Sequence, residues 1–263
     1  MKRVYVVGMV RDALIDRIKK GYPGLQVVND RFLVDGDVGK ADCDVVICYG
    51  GDGTLLYGEE HIPEVPKMML RNTMLCDSCV ARTERDMLAA LADDQYTIQE
   101  YDKLEARGAR THTALYDVMI GHARVNMSVR LRFAVNGKPH VEEVVGDGIV
   151  ISTALGSTGY YQSITRSNFS GGIGIAFNNS VNTMSNVVVD ADSVIDVDIT
   201  RGPAVLATDN TEDTEIVETG NAIQIRRSQH TGKLLSFAGE LEQYNFATHR
   251  FPAGICQLCQ SHI

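Results

Sequence analysis

Short apolar runs alternate with amphipathic stretches in the first part of the chain, up to about residue 98. Apolar residues recur with helical spacing over 12–20, and Thr83 opens a Thr-x-x-Asp capping box before a Leu/Ala-rich helix that ends near residue 93. Four runs predict strands: Val4–Val7, Gln26–Val28, Asp44–Tyr49 and Lys67–Leu70. Because strands that alternate with helices favour a parallel sheet, we predict an α/β domain over residues 1–98.

The pattern changes at about residue 99, where segments of alternating apolar and polar residues begin. Gly, Asn and Asp separate these segments, and Asn136-Gly137 is typical of a tight hairpin turn. The predicted strands lie at 114–120, 125–135, 141–145, 148–152, 186–189, 194–199, 204–207 and 222–226. We predict an all-β domain over residues 99–245.

Composition narrows the class of protein. The 263 residues are 44% apolar, enough for one large or two smaller cores, and the formal net charge of −9 does not favour the phosphate backbone of nucleic acids. Asp209 and Asp213 lie in an acidic run, 209–215, and are predicted to be surface charges, with a substrate role for Asp209 as the alternative. The N-terminus lacks the features of a signal peptide, and no run is long and apolar enough to span a bilayer. We expect a cytoplasmic protein that binds neither nucleic acid nor membrane.

A glycine-rich run, GGDGT at residues 50–54, directly follows the predicted strand Asp44–Tyr49. Open α/β sheets bind ligands at the carboxyl ends of their parallel strands. Glycines let the backbone approach a ligand closely, and successive N–H groups ahead of a helix form an anion site. Asp52 is itself anionic, so we expect it to orient a hydroxyl, accept its proton or help hold Mg²⁺. The simpler alternative is an ordinary tight turn, since the P-loop pattern is missing.

A second run, DGIVISTALGSTGY at residues 147–160, joins a predicted strand to a loop rich in hydroxyl groups and glycine. Serine and threonine exchange hydrogen bonds with phosphates and sugars, and tyrosine stacks or hydrogen-bonds. This composition suits a nucleotide, although a polar β-turn has a similar one.

Together the two runs resemble the NAD kinase family, whose motifs are G-G-D-G-T-[LMF]-L and, about a hundred residues later, D-G-x-x-x-S-T-P-T-G-S-T-A-Y. The resemblance covers roughly residues 40–235. It implies a Rossmann-like N-terminal domain, an all-β NAD-binding domain and a C-terminal tail, residues 246–263, that returns to the first domain. It also implies phosphoryl transfer from ATP–Mg²⁺ to the 2′-hydroxyl of the adenosine ribose of NAD, in a homodimer or homotetramer.

The resemblance also implies roles for single residues. Asp52 is the expected catalytic residue. The phosphates of ATP are expected against Gly50, Gly51, Gly53 and Thr54. The dinucleotide is expected at Asn72, Asp117, Asp147, Ser157, Thr158 and Tyr160.

The chain departs from the family pattern at four places. Ala154-Leu155 replaces a Pro-Thr pair of the second motif, Gly159 replaces its alanine before the tyrosine, and Tyr116-Asp117 replaces an Asn-Glu pair. A Gly-x-Asn-x-Gly stretch of the family keeps only its asparagine, within Arg71-Asn72. The substrate pocket is therefore expected to differ in detail from that of the family.

Two other functions fit part of the pattern. Lipid kinases of the diacylglycerol or sphingosine type share GGDGT, but they usually continue with Glu-Val-x-Asn-Gly where this chain has LLYGEE, and they lack the Gly-Ser-Thr-x-Tyr loop. A nucleotide-binding sensor without catalysis would explain the changed residues. The intact Asp52 favours an enzyme over the sensor.

Two CxxC pairs, Cys76 with Cys79 and Cys256 with Cys259, have the ligand spacing of a four-cysteine zinc site. The returning tail implied by the resemblance would bring the two pairs together. We predict a structural Zn²⁺ there, with unrelated thiols or a redox pair as the alternatives.

Overall fold

The computed structural model describes residues 1–28, 42–140, 143–182, 184–244 and 254–262. The start of the predicted strand 141–145 and half of the predicted tail, namely 246–253 and 263, lie outside these ranges. The α/β character predicted for the chain is confirmed, with helices and mixed sheets. Two compact units are formed, one from residues 1–101 and 232–263 and the other from residues 102–231. Within the described ranges, no helix has both the length and the apolar character that a membrane span requires.

The first unit contains a parallel sheet in the order β2-β1-β3-β4. Its strands are β1 (Lys2–Val7), β2 (Leu25–Val27), β3 (Val45–Tyr49) and β4 (Lys67–Leu70). Its helices are α1 (Arg11–Gly21), α2 (Asp52–His61) and α3 (Asp77–Ala92). Every residue of β3 is buried, as expected for a continuous apolar strand in such a sheet. The winding reverses between β1 and β3, so the loops after these strands open where α/β sheets bind ligands.

The helix start predicted at Thr83 is wrong. Helix α3 begins at Asp77 with Cys76 as its N-cap, and Thr83 lies well inside it. The Thr83 hydroxyl donates a hydrogen bond to the carbonyl of Cys79, four residues earlier, instead of accepting one from a free N–H. One consequence is that the first CxxC pair sits at the N-terminus of α3.

The second unit is built from antiparallel strands and one short helix, α4 (Tyr160–Thr165). The strands that follow β4 in the chain are β5 (Thr97–Arg107), β6 (Thr111–Ala114), β7 (Asp117–His122), β8 (Val129–Val135), β9 (Lys138–Pro139), β10 (Val144–Gly146), β11 (Gly148–Thr153), β12 (Ile173–Asn178), β13 (Val187–Val189), β14 (Ile195–Arg201), β15 (Ala204–Thr208), β16 (Glu215–Val217) and β17 (Ala222–Ser236). The last residues of β17 belong to the first unit, where Leu234 pairs with Lys67 of β4.

Two sheets of the second unit enclose its core. One has the order β10-β8-β14-β17 and the other β13-β12-β11-β7-β15-β16. Alternate residues of their strands, such as Leu131, Phe133, Ile151 and Ile175, are buried together in one cluster. The sheets therefore pack face to face through the apolar positions of the predicted alternating pattern.

Several predicted strands need correction. The predicted strand 114–120 is two strands, β6 and β7, because the backbone at Leu115 and Tyr116 is bound by a side chain instead of a neighbouring strand. Strand β8 begins only at Val129, after a turn in which Met127 N–H donates to Arg124 O. Strand β12 was not predicted, since its Gly174 interrupts the apolar pattern.

Glu215 of β16 holds the turn between β5 and β6. Its carboxylate accepts hydrogen bonds from the N–H groups of Ala109, at 2.7 Å, and Arg110, at 3.1 Å, and His112 Nε2 lies 3.1 Å away. Burial opposes ionisation, but these three partners together keep the pKa of Glu215 below its ordinary value. The buried carboxylate of Glu215 is therefore a structural anchor of the second unit.

We expect Glu215→Gln to lower the free energy of unfolding at neutral pH by about 1–3 kcal/mol, because an amide cannot satisfy both N–H donors and His112. A carboxyl with a lowered folded-state pKa stabilises the fold above its unfolded value, about 4.5, and this stabilisation disappears as the pH falls through the folded-state pKa. Urea denaturation across this range should show the difference between wild type and variant shrinking with acid. The exposed neighbour Glu212→Gln is the control, and a difference independent of pH would contradict the prediction.

Candidate functional site

The glycine-rich run at residues 50–54 forms the connection between β3 and α2. Gly50 N–H donates to Leu70 O of β4 at 3.1 Å, and Gly51 is the N-cap of α2, with its carbonyl accepting from Thr54 N–H at 3.0 Å. A Cβ at Gly50 would lie 2.1 Å from Thr54 Oγ1, so only glycine fits there. Gly53 is exposed in the first turn of the helix. The backbone of this run thus lies at a positive helix end, an arrangement that suits an anion.

Asp52, the first residue of α2, is held by an arginine. Its Oδ1 lies 3.1 Å from Nη2 of Arg71, the residue that follows β4. Arg71 is only 5% exposed, whereas 29% of the Asp52 side chain is exposed. The buried guanidinium of Arg71 therefore fixes the direction of the Asp52 carboxylate, which is partly exposed.

Asn72 lies in the same loop, beside the glycine-rich run. Its Oδ1 is buried and has no hydrogen-bond partner among the described residues. The neighbouring Thr73 Oγ1 would be 3.2 Å from a Cβ at Gly51, so the two loops are adjacent. A buried acceptor without a partner is costly, and a ligand donor would satisfy it.

The second run continues from β11 through a 3₁₀ turn, Gly156–Thr158, into α4. Its turn packs on the backbone of the segment before β7. A Cβ at Gly156 would lie 2.4 Å from Tyr116 O, and Thr153 N–H donates to the same oxygen at 2.9 Å. Thr153 Oγ1 donates to Leu115 O at 2.8 Å. The position of this loop is therefore set by Leu115 and Tyr116.

Asp209 fixes that segment, and its predicted role as a surface charge is wrong. Its carboxylate accepts hydrogen bonds from three consecutive N–H groups, those of Leu115, Tyr116 and Asp117, at 2.7, 2.8 and 3.0 Å. Burial raises the pKa of Asp209 above its ordinary value, against the opposing effect of the three N–H groups. Asp213 is an exposed partner of Arg110.

Asp117, Ser157 and Thr158 lie together in the second unit. Asp117 is 7% exposed, and its Oδ2 would be 3.5 Å from a Cβ at Gly159. Ser157 is buried, with its Oγ 2.7 Å from Ala154 O, so this hydroxyl shapes the turn. The half-buried Thr158 has its Oγ1 3.4 Å from Leu155 O.

Asp147 and Tyr160 are linked through two asparagines at the end of β12. Asn179 Nδ2 donates to Asp147 Oδ2 at 2.6 Å, and Asn178 Nδ2 donates to the Tyr160 hydroxyl at 2.9 Å. The Tyr160 side chain, 40% exposed, lines a cavity of about 410 Å³ together with both asparagines and Arg166. This volume is in the range of small-ligand pockets.

The two CxxC pairs meet in the first unit. Their four sulfur atoms all lie within 4.8 Å of one another, and the Sγ atoms of Cys76 and Cys259 are 3.6 Å apart. Cys79 and Cys256 are buried, whereas Cys259 is exposed. Four converging thiols are a ligand set for a thiophilic metal ion.

Sequence reasoning missed the roles of Arg71 and Asp209. Arg71 carried a signal, since it is a charged residue directly after a strand that neighbours β3, at the carboxyl end of the sheet where ligands bind. No sequence signal indicated the role of Asp209, because its three partners lie more than ninety residues earlier in the chain.

The chain is similar in sequence to curated NAD kinases. It is 26% identical to the NAD kinase of Burkholderia vietnamiensis over 227 residues, which cover 80% of this chain and 72% of that protein. It is 30% identical to the NAD kinase of Methanosphaera stadtmanae over 134 residues, which cover 48% of each. No family model matches the chain.

Two solved structures share the fold. An NAD kinase from Archaeoglobus fulgidus in complex with ATP has a TM-score of 0.72 at 17% identity, covering 93% of this chain and 96% of its own. Yeast NADH kinase complexed with NADH also has a TM-score of 0.72, at 16% identity, covering 96% of this chain and 90% of its own. At these identities the likeness concerns the fold.

We expect Asp209→Ala to destabilise the second unit by about 2 kcal/mol or more, because three N–H donors lose their acceptor. Amide hydrogen exchange should report the change directly, with faster exchange at Leu115, Tyr116 and Asp117. The exposed Asp213→Ala is the matched control. Unchanged exchange at these three amides in Asp209→Ala would show that the carboxylate does not hold the segment.

Proposed function

We propose that the chain, which is similar in sequence and in fold to NAD kinases, is a divergent NAD kinase that transfers the γ-phosphoryl group of ATP to the 2′-hydroxyl of the adenosine ribose of NAD, producing NADP. The observation that carries this proposal is Asp52, at the start of α2 within an intact GGDGT run and beside Arg71. The two solved structures that share the fold, one in complex with ATP and the other with NADH, support nucleotide substrates of these two kinds.

In-line phosphoryl transfer requires positioning and charge neutralisation more than covalent help from the protein. We propose that the phosphates of ATP lie against the backbone of Gly50, Gly51, Gly53 and Thr54, at the positive end of α2. The positive helix end favours the negative charge of the transferred group.

Asp52 orients the 2′-hydroxyl toward the γ-phosphorus and accepts its proton as the new P–O bond forms and the bond to the leaving oxygen of ADP breaks. A ribose hydroxyl is too weak an acid to ionise at neutral pH, so a carboxylate within hydrogen-bond reach lowers the barrier. Arg71 acts through Asp52 in this scheme, as a positioning residue that keeps the carboxylate in one direction.

Mg²⁺ is the expected companion of ATP. It prefers oxygen ligands, and the partly exposed carboxylate of Asp52 fits that preference. When bound, Mg²⁺ neutralises charge on the phosphates.

We propose that NAD contacts Asn72, Asp117, Asp147, Ser157, Thr158 and Tyr160. The buried, unpartnered Oδ1 of Asn72 supports a ligand donor at that position. The cavity beside Tyr160 supports a contact with a ring or sugar. Ser157 contributes by shaping its turn, since its hydroxyl is used inside the protein.

The proposed enzyme is cytoplasmic and forms a homodimer or homotetramer, as the family resemblance implies. We further propose the domains 1–98 with 246–263, and 99–245, as its α/β and NAD-binding parts. Incubation with ATP, Mg²⁺ and NAD should yield NADP. Binding without turnover would favour the sensor, and phosphorylation of diacylglycerol or sphingosine would favour a lipid kinase.

We expect Asp52→Asn to lower kcat by about 10²-fold or more, because the amide keeps the shape of the side chain but cannot accept the proton. NADP formation at saturating ATP and NAD measures this, with circular dichroism to show that the fold is intact. The exposed Asp16→Asn on α1 is the control. Near-normal turnover in Asp52→Asn would remove Asp52 from the mechanism.

We expect Arg71→Met to lower kcat by about 10-fold or more with a smaller change in the KM for NAD, since the ion pair acts on Asp52. Arg71→Lys should recover part of the loss because it restores the cation. Arg85→Met removes an exposed arginine of α3 and should leave kcat unchanged. A kcat of Arg71→Met within about twofold of wild type would contradict the positioning role.

A further inference from the structure

The cluster of Cys76, Cys79, Cys256 and Cys259 is not used by the proposed reaction. Its first pair comes from the N-terminus of α3 and its second pair from the C-terminal segment, residues 254–262, nearly 180 residues later. The remaining cysteines, Cys43 and Cys48, are outside the cluster. The fold therefore brings four thiols from two segments that are distant in sequence into one cluster.

The distances fit a tetrahedral metal site better than a disulfide. A Zn–S bond of about 2.3 Å gives sulfur–sulfur distances of about 3.8 Å in a tetrahedron. The Sγ atoms of Cys76 and Cys259 are 3.6 Å apart, and all four sulfurs lie within 4.8 Å of one another. A disulfide would require about 2.05 Å and would employ only two of the four thiols.

Donor groups around the sulfurs match the needs of a thiolate cluster. Cys76 N–H points at Cys256 Sγ, at 3.4 Å, and Arg82 Nη2 lies 3.8 Å from Cys79 Sγ. The positive N-terminal end of α3 adds to them. A metal ion with four thiolates carries a net charge of −2, which these groups offset.

We propose that Cys76, Cys79, Cys256 and Cys259 bind one Zn²⁺ as a closed, structural site that attaches the C-terminal segment to the start of α3. Four protein ligands leave no coordination position for water or substrate, so the site is not catalytic. Soft thiolates select zinc over Mg²⁺ or Ca²⁺.

The zinc site also holds the loop between β4 and α3. Gln257 N–H donates to Met74 O at 3.0 Å, so the C-terminal segment contacts this loop directly. The loop starts with Arg71 and Asn72 and ends at the ligand Cys76. On the premise of the proposed function, zinc thus stabilises the loop between β4 and α3. In this loop Arg71 orients Asp52, and Asn72 faces the ligand.

Metal analysis of the full chain, purified under reducing conditions, tests the proposal without any assay of activity. We expect about one zinc per chain in wild type and in Cys43→Ser, and less than about 0.2 in Cys256→Ser. Because Cys256 is buried and its variant can misfold, the exposed ligand Cys259→Ser provides a second loss of zinc in a folded protein. Replacement by Co²⁺ should give the thiolate-to-cobalt charge-transfer absorption of a tetrahedral site, absent in Cys259→Ser.

Chelation of the zinc should lower Tm by about 5 °C or more, and added zinc should restore it. Wild type with less than about 0.2 zinc per chain, equal zinc in Cys259→Ser, or a disulfide within the cluster in freshly reduced protein would each overturn the proposal. A zinc-loaded protein that makes no NADP would contradict the proposed kinase activity and leave the zinc site standing.

Discussion

Three consecutive backbone N–H groups converge on the carboxylate of Asp209, and the second motif depends on this interaction. Without it, the N–H groups of Leu115, Tyr116 and Asp117 would lose the acceptor that they share. The carbonyls of Leu115 and Tyr116 in turn bind Thr153 and leave room only for glycine at position 156. One buried carboxylate thus determines where the hydroxyl-rich turn lies and where Asp117 is held.

In the first unit, side chains likewise hold the loop after β4 in place. Arg71 fixes the start of this loop by its ion pair with Asp52, and the cysteine cluster fixes its end at Cys76. Asn72 lies between these two attachments with a buried oxygen that has no hydrogen-bond partner in the described chain. The loop is therefore held on both sides of Asn72, whose buried oxygen could accept a hydrogen bond from a ligand.

The departures from the family pattern fall at these same places. Arg71, at the variable position before the asparagine of the pattern Gly-x-Asn-x-Gly, brings a buried cation that contacts the proposed catalytic carboxylate. Asp117 is one methylene shorter than the family glutamate and is held through its backbone by Asp209. The candidate site therefore differs from the family pattern in the charge beside Asp52 and in the length of the acidic side chain at position 117.

Local patterns were sufficient for much of the fold and for part of the candidate site. The apolar run before Gly50, the glycine-rich turn, the strands β1, β3 and β4 and the spacing of the CxxC pairs are properties of neighbouring residues, so they can be predicted from the sequence. Local patterns gave a wrong prediction where one side chain could form either of two local hydrogen bonds. The Thr83 hydroxyl donates to the carbonyl of Cys79 inside α3 instead of capping the start of the helix.

The tertiary structure alone decided which distant groups meet. The acidic run 209–215 looks like solvated charge because nothing near it in sequence would bury a carboxylate, yet the register of β15 and β16 in the sheet brings Asp209 to Leu115 and Glu215 to Ala109. The same holds for Arg71 with Asp52 and for the four cysteine sulfurs. The sequence by itself determined the chemical groups and their local backbone, whereas pairing across tens to hundreds of residues depends on strand register and chain path, which no local pattern encodes.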